Sequence, residues 1–414
     1  MYLDNGYHLT YCTNIHPGES WDEVFRNLQE YLPPLKKNLS PDKPFGIGLR
    51  LSDLASRELL AGKRLADFKV WLQDNGLYVY TMNGFPFGGF HQQVVKDAVH
   101  KPDWTTRERV DYTIRLAHIL AAILPEELDG GISTSPLSYK PWHRHDEAAL
   151  DAMFRTSCLH LAEVVLELQG IKSETGKTIH IDIEPEPDGV LEDTEEFISF
   201  YNNRLLPIGI EKLKAASGIS EGEAAEAIRT HIQLCYDVCH FALVYEQPAD
   251  TFAKLQEAGI RIGKIQLSSA LKVMLPVSME ERQRIADQLA PFAESTYLHQ
   301  VVERNESNRL THYTDLPQAL KQIAKPEAKE WRTHFHVPLF TSTYNGLQST
   351  QDAVAEVLEL LQHNHLTNHL EAETYTWEVL PEDMKKELHA SLQRELEWVL
   401  QKINPTKDAE NSRT

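Results

Sequence analysis

The sequence predicts a closed (β/α)8 barrel, the TIM-barrel class of α/β protein. Eight short β-rich runs alternate with amphipathic helical runs, as expected for parallel strands joined by crossover helices. None of these runs is followed by the G-x-G-x-x-G turn that opens a dinucleotide-binding fold. The 414 residues are enough for one barrel domain with insertions.

The strand candidates are short runs rich in apolar and β-branched residues. In chain order they are Tyr7–Ile15, Phe45–Ser52, Leu77–Phe85, Gly131–Leu137, Ile179–Glu184, Ile232–Val238, Ile262–Ser268 and Leu370–Thr376. Helices between them are expected to begin where a Ser or Thr is followed three residues later by Glu, which is the capping-box pattern. These pairs are Ser20 and Glu23, Thr105 and Glu108, Ser220 and Glu223, and Ser278 and Glu281.

Two further β-like runs, Tyr297–Glu303 and His334–Phe340, exceed the eight strands of the barrel. We place them in an insertion of about residues 275–345 between the seventh and eighth strands, where a loop would project over the barrel mouth. A last helix is expected from Pro381 to about Ile403. Residues 1–403 are therefore predicted to form one domain, and residues 404–414 a flexible tail.

Composition excludes several classes of partner. The chain has 41 Lys and Arg against 61 Asp and Glu, a formal charge of −20, which repels phosphate backbones. No apolar run approaches the roughly 20 residues that span a bilayer, and the first residues lack the pattern of a secretion signal. We therefore expect a cytoplasmic protein with no nucleic-acid partner and no membrane insertion.

Three acidic residues lie at or near the ends of strand candidates, on the side of the barrel where active sites form: Glu184, Asp237 and Glu373. Three converging carboxylates repel one another unless a cation or shared protons lie between them. Asp237-x-x-His240 adds a mixed oxygen and nitrogen donor pair, which suits Mn, Fe, Co or Zn. The pattern predicts one divalent metal, although each acid alone could instead cap a neighbouring helix.

Histidines supply further candidates. His334 and His336 alternate, so both would lie on one side of a strand and could bind one ion. The alternative is a solvated strand face, because the 19 histidines make chance pairs common. His363, His365 and His369 are expected near a helix C-terminus, where imidazole suits the helix dipole, and they are assigned no chemistry. The substrate-binding candidates are His16, Arg50, Asn83, His91, Lys140, His240 and His334.

The order of these residues resembles the xylose-isomerase-like TIM barrels, which include sugar phosphate isomerases and epimerases and, more distantly, endonuclease IV. The resemblance implies that Glu184, Asp237 and Glu373 bind metal and that His240 contacts substrate. Gln266 stands where that family has a histidine ligand. Either His336 supplies the missing imidazole, or the metal binds weakly, or the site has lost it.

Longer phrases resemble the EboE family of metabolite-traffic proteins. They lie in Tyr11–Trp21, Phe45–Ser52, Thr81–Pro86 and His334–Phe340. This resemblance implies a role in moving a small metabolite or its precursor across the inner membrane. It also implies partners among the other products of the same gene cluster.

Three functions follow as hypotheses. In the first, an isomerase or epimerase acts on a small hydroxy-carbonyl or sugar-like metabolite, with Glu184 and Glu373 as base and acid and one metal held by these two residues, Asp237, His336 and Gln266. In the second, the barrel binds a metabolite without transforming it. The third is phosphodiester hydrolysis of the endonuclease IV type, against which the −20 charge argues.

Overall fold

The structure is a computed structural model, and it describes residues 1–89, 95–294, 296–344, 346–374, 376 and 388–404. The strands in these residues are β1 His8–Tyr11, β2 Phe45–Arg50, β3 Leu77–Asn83, β4 Gly130–Thr134, β5 Ile179–Ile183, β6 Ile232–Asp237, β7 Ile262–Leu267, β8 Leu271–Met274, β9 Val301–Asn305, β10 Leu310–Tyr313, β11 Ala328–Thr333, β12 Thr343–Tyr344, β13 Leu347–Ser349 and β14 His369–Ala372.

The α-helices in the described residues are α1 Trp21–Leu39, α2 Asp53–Leu59, α3 Arg64–Asp74, α4 Arg107–Ile123, α5 Glu147–Thr175, α6 Thr194–Phe200, α7 Leu206–Ser217, α8 Glu221–His231, α9 Val238–Leu243, α10 Pro248–Glu257, α11 Met279–Leu289, α12 Leu316–Leu320, α13 Gln351–Leu361 and α14 Leu388–Ile403. None of these helices is both long enough and apolar enough to cross a membrane.

Eight parallel strands form the barrel, in the order β1-β14-β7-β6-β5-β4-β3-β2. A bridge between Cys12 and Gly48 joins the two ends of this order, so the barrel is nearly closed. The predicted fold class is confirmed. Most predicted strands extend too far at their C-terminal ends; β1, for example, stops at Tyr11 because Thr13–Ile15 forms a 3-10 turn.

The barrel interior is charged. Along β5 the isoleucines join the hydrophobic core, whereas His180 and Asp182, on the alternate positions, contact each other at 2.6 Å. Deeper in the barrel Lys264 Nζ lies 2.6 Å from Glu371 Oε2, and both side chains are fully buried. Gly48 leaves room for this pair, since a Cβ there would lie 1.8 Å from Glu371 Oε1.

Helix starts follow the predicted caps with one exception. Ser20 and Ser220 form complete capping boxes with Glu23 and Glu223. Ser278 caps α11 by accepting from the Glu281 backbone N–H. The prediction at Thr105 is wrong by one residue, because Thr106 caps α4.

A second sheet is inserted between β7 and β14, with strand order β10-β9-β11-β8-β13-β12. The predicted strand at His334–Phe340 is wrong: β11 ends at Thr333, and the next residues run without strand pairing. That segment is fixed to the barrel because the Val337 N–H donates to the Ser269 carbonyl at 2.9 Å. The other predicted run begins as a strand only at Val301.

The C-terminal helix, α14, packs against α1 and α13. The described part of this helix begins at Leu388, and its predicted start at Pro381 lies outside the described residues. Of the predicted tail, only Asn404 is described. His369 was expected near a helix end, but it is the first residue of β14. It lies seven positions after Gln362, the C-cap residue of α13.

Candidate metal and substrate site

Three buried carboxylates meet at the C-terminal ends of the barrel strands. Glu184 follows β5, Asp237 ends β6 and Glu373 follows β14, and one side-chain oxygen of each lies within 4.8 Å of the other two. Burial, and then the neighbouring negative charges, raise the pKa of both Glu184 and Glu373 well above the ordinary value. The cluster therefore needs protons or a cation to be stable.

Two oxygens of this cluster point to a cation. Within the described residues, Glu184 Oε2 and Asp237 Oδ2 are buried and make no hydrogen bond. The other Asp237 oxygen, Oδ1, accepts from the Ser268 hydroxyl at 2.6 Å and from the His240 backbone N–H at 3.1 Å. Unpaired buried oxygens are costly, and a divalent cation between them would remove that cost. The residues present therefore fit a metal ion.

Glu373 is held by three amide groups. Its Oε1 accepts from Asn14 Nδ2 at 2.8 Å and from Asn83 Nδ2 at 3.1 Å, while its Oε2 accepts from Gln266 Nε2 at 2.6 Å. The Gln266 oxygen in turn accepts from the Cys235 thiol at 2.5 Å. Gln266 thus presents its N–H group to the carboxylates and orients Glu373.

Backbone carbonyls orient two histidine rings beside the carboxylates. The Nδ1 atoms of His240 and His336 lie 2.9 and 2.8 Å from the carbonyls of Pro185 and Glu373. Because a carbonyl only accepts, each of these Nδ1 atoms carries a proton, and each Nε2 faces away from these carbonyls. Burial lowers the pKa of His336 to about 4, so its imidazole is neutral.

His336 and His334 reach the barrel from the segment after β11. Ligand atoms of His336, Asp237 and His240 lie within 4.8 Å of one another, which places an imidazole beside the carboxylates. The His334 Nε2 atom lies 3.2 Å from His240 Nε2. Burial, and then the neighbouring histidines, lower the pKa of His334 well below the ordinary value.

A cavity of about 70 Å³ lies above the cluster, and Asn83, Glu184, His240, His334 and Glu373 line it. Glu186 also lines it, and sequence reasoning missed this residue. Its spacing of two residues from Glu184 was an available signal. Burial, followed by the charge of Asp237, raises the pKa of Glu186 well above the ordinary value, and its Oε1 lies 3.1 Å from His100 Nε2.

Other predicted substrate residues lie outside the cavity lining. His16 stacks on Tyr31, with ring centroids 4.3 Å apart. Arg50 is buried and pairs with Glu19 at 3.1 Å. Lys140 contacts two glutamates, Glu192 at 3.1 Å and Glu196 at 2.9 Å. His91 lies outside the described residues.

Comparisons with known proteins support the fold. No family model and no curated protein matches the chain. A xylose isomerase-like TIM barrel protein from Mycobacterium smegmatis, solved in complex with magnesium, is 10% identical, with 97% of this chain and 98% of that chain covered and a TM-score of 0.50.

Two further solved structures are similar over most of the chain. A D-tagatose 3-epimerase-like protein is 12% identical, with 96% and 98% of the two chains covered and a TM-score of 0.48. The IolI protein with a bound zinc atom is 11% identical, with 96% and 100% covered and a TM-score of 0.47. The comparisons do not support the EboE part of the resemblance. The chain has the fold of a xylose-isomerase-like TIM barrel.

Proposed function

We propose that the barrel mouth is the active site of a divalent-metal-dependent isomerase or epimerase that acts on a small hydroxy-carbonyl or sugar-like metabolite. The observation that carries this proposal is a pair of buried oxygens, Glu184 Oε2 and Asp237 Oδ2, that make no hydrogen bond within the described residues and lie beside a third carboxylate. Such an arrangement combines a cation site with a carboxylate able to accept a proton.

Glu184, Asp237, Glu373 and His336 would hold the metal. When bound, the ion would polarise a substrate carbonyl and lower the barrier to removing a proton from the adjacent carbon. Gln266 acts through Glu373, whose Oε2 it holds at 2.6 Å. The mixed oxygen and nitrogen set favours Mn, Fe, Co or Zn.

We assign the first proton transfer to Glu184. Glu184 lines the cavity, so the carboxylate oxygen that the ion does not use can accept a proton from a substrate held there. Glu373 is the opposing acid and is held by three amides. His240 and His334 line the cavity, where their imidazole rings would orient substrate hydroxyls.

The wider setting of the proposal comes from the EboE resemblance. The substrate would be a metabolite handled in the cytoplasm together with other products of the same gene cluster. The charge of −20 argues against a nucleic-acid substrate, so phosphodiester hydrolysis is the weakest of the three hypotheses.

A second candidate function is metabolite binding without chemistry. The observation that favours it is Gln266, whose amide N–H faces Glu373 at the place where a ligand histidine was expected. A binding protein needs a complementary cavity and no matched acid and base.

Solvent exchange tests the first function against the second. Full-length protein loaded with Mn²⁺ is incubated with a panel of ketoses and hydroxy-aldehydes in D₂O, and deuterium at the carbon beside the carbonyl is followed by NMR. We expect metal-dependent exchange that is lost in Glu184→Gln and retained in Glu195→Gln, a control at an exposed glutamate paired with Lys254. Tight binding of a panel member in EDTA without exchange would favour the carrier function.

A further inference from the structure

A second group of ligand-type side chains lies at the opposite, N-terminal end of the barrel strands. Asp129 precedes β4, His180 is the second residue of β5 and His369 is the first residue of β14. One side-chain atom of each lies within 4.8 Å of the other two. The chemistry proposed at the mouth uses none of these residues.

His180 has the arrangement of a metal-binding imidazole. Its Nδ1 lies 2.6 Å from Asp182 Oδ1, so Nδ1 carries the proton and Nε2 faces Asp129 Oδ2 at 3.6 Å. A carboxylate behind an imidazole fixes the orientation of the ring and increases its basicity as a ligand.

His369 supplies an independent observation. It is 1% exposed, and neither of its ring nitrogens makes a hydrogen bond in the part of the chain that the structure describes. Its Nε2 lies 3.4 Å from Asp129 Oδ1. Space around the ring depends on Gly131, where a Cβ would lie 2.9 Å from His369 Nδ1. A buried imidazole that makes no hydrogen bond in the described residues, with a carboxylate oxygen 3.4 Å from one nitrogen, is costly unless a ligand completes it.

The separations match ligand atoms around an ion better than hydrogen bonds. Contacts of 3.4 and 3.6 Å exceed the hydrogen-bonding range of about 2.7–3.2 Å. A tetrahedral zinc ion with bonds of about 2.0–2.1 Å holds its ligand atoms about 3.3 Å apart. Two imidazoles and one carboxylate are also the donor set of three-ligand zinc sites that keep an open position.

Solvent reaches this group from one side. Asp129 is 37% exposed, and a groove lined by Asp129, His180, His365, Thr367 and Asn368 runs past it. Asn368 Nδ2 donates to Asp129 Oδ1 at 3.3 Å and so steadies the exposed carboxylate. An ion bound here would keep one position facing the groove, available to water or a small anion.

We propose that Asp129, His180 and His369 form a zinc-binding site at the N-terminal end of the barrel, with Asp182 orienting His180. This site is separate from the proposed function at the mouth. The two ends are divided by the buried Lys264 and Glu371 pair.

The number of bound zinc equivalents tests this site. Full-length protein is stripped with a chelator, dialysed against buffered Zn²⁺ and analysed by mass spectrometry of the metal. We expect Asp129→Asn and His369→Gln each to bind one equivalent fewer than the unsubstituted protein. His365→Gln, a neighbouring histidine in the same groove, should bind the full number.

The double variant Glu184→Gln/Glu373→Gln separates the two proposals, because it removes only metal held at the mouth. If His369→Gln fails to fold by circular dichroism, Asp129→Asn decides alone, since this side chain lies at the surface. An unchanged zinc number in Asp129→Asn, with affinity within twofold of the unsubstituted protein, would overturn the proposal.

Discussion

The two ends of the barrel are built from the same two strands but carry different donor sets. In each strand a histidine, an acid and a glutamate occupy alternate positions, in His180–Glu184 and in His369–Glu373. Alternation points all of these side chains inward, so the glutamates reach the mouth and the histidines reach the other end. The mouth gains a third carboxylate from Asp237, and the other end gains Asp129.

Enclosure also differs between the two ends. At the mouth the inserted segment brings His334 and His336 over the carboxylates, and every carboxylate of the cluster is buried. At the other end Asp129 remains partly exposed to an open groove. Strand alternation alone is therefore enough to form two candidate ion sites. The insertion covers only one of them, the mouth, and encloses a cavity there that suits a substrate.

The largest expected effect concerns the pair that divides the two ends. Lys264→Met leaves Glu371 charged and buried without a partner, so we expect the free energy of unfolding to fall by about 3–5 kcal/mol. Urea denaturation measures this loss. Lys264→Met/Glu371→Leu should recover most of it, and a loss below about 1 kcal/mol in the single variant would show that the buried charge of Glu371 does not depend on Lys264.

The next effect tests how the mouth is enclosed. Glu395 of α14 accepts from the Leu339 N–H at 3.0 Å and from the Thr374 hydroxyl at 2.8 Å, and burial raises its pKa to about 7. The folded state therefore binds this proton more tightly than the unfolded state, whose pKa is about 4.3, and stability is lost as pH rises from about 4 to about 7.

The expected loss from this one group is roughly 3 kcal/mol. Glu395→Gln keeps the acceptor oxygen and has no proton to lose, so its unfolding free energy should fall less between pH 5 and pH 8. Parallel curves for the two proteins over this range would contradict the assignment. The control is Glu397→Gln on the same helix, at a half-buried glutamate that accepts from Gln393 Nε2 at 2.7 Å.

A third prediction concerns metal at the mouth. Asp237→Asn should weaken Mn²⁺ binding there by more than about 100-fold, because loss of a ligand costs more than the 10–100-fold typical of residues behind ligands. Isothermal titration measures the affinity. Zinc bound by Asp129 should not change, and a simultaneous loss at both ends would mean that the two sites are not independent.

The smallest effect comes from a residue behind a ligand. Ser268→Ala removes the hydroxyl that holds Asp237 Oδ1 at 2.6 Å, so Mn²⁺ affinity should fall about 10-fold without loss of stoichiometry. Ser269→Ala, at the next position, is the matched control. Equal Mn²⁺ affinities in the two variants would show that Ser268 does not support metal binding by Asp237.

Sequence patterns predicted the barrel and the three mouth carboxylates because strand alternation and strand ends are local properties. They placed His336 near the site for the wrong reason, since the residue lies after β11 and not in a strand. The sequence did not predict the group of Asp129, His180 and His369, because Asp129 and His369 are far apart in sequence and only the folded barrel brings them together.

Strand-end position also did not determine where side chains go. Arg50 and Lys140 follow or end strands, yet each is paired with glutamates outside the cavity lining. Asn14 and Glu186, by contrast, line the cavity, and Asn14 donates to Glu373 there. These positions are defined only in the folded chain. Pairing between distant side chains is a tertiary property that single-chain patterns do not encode.

Anomalous diffraction from crystals soaked with Mn²⁺ and Zn²⁺ tests the central claim most directly. We expect a peak about 2.0–2.2 Å from oxygens of Glu184, Asp237 and Glu373 at the mouth. We expect a second peak, from zinc, between Asp129, His180 and His369. A mouth without a peak under saturating metal, with the three carboxylates instead bonded to one another through protons, would contradict it.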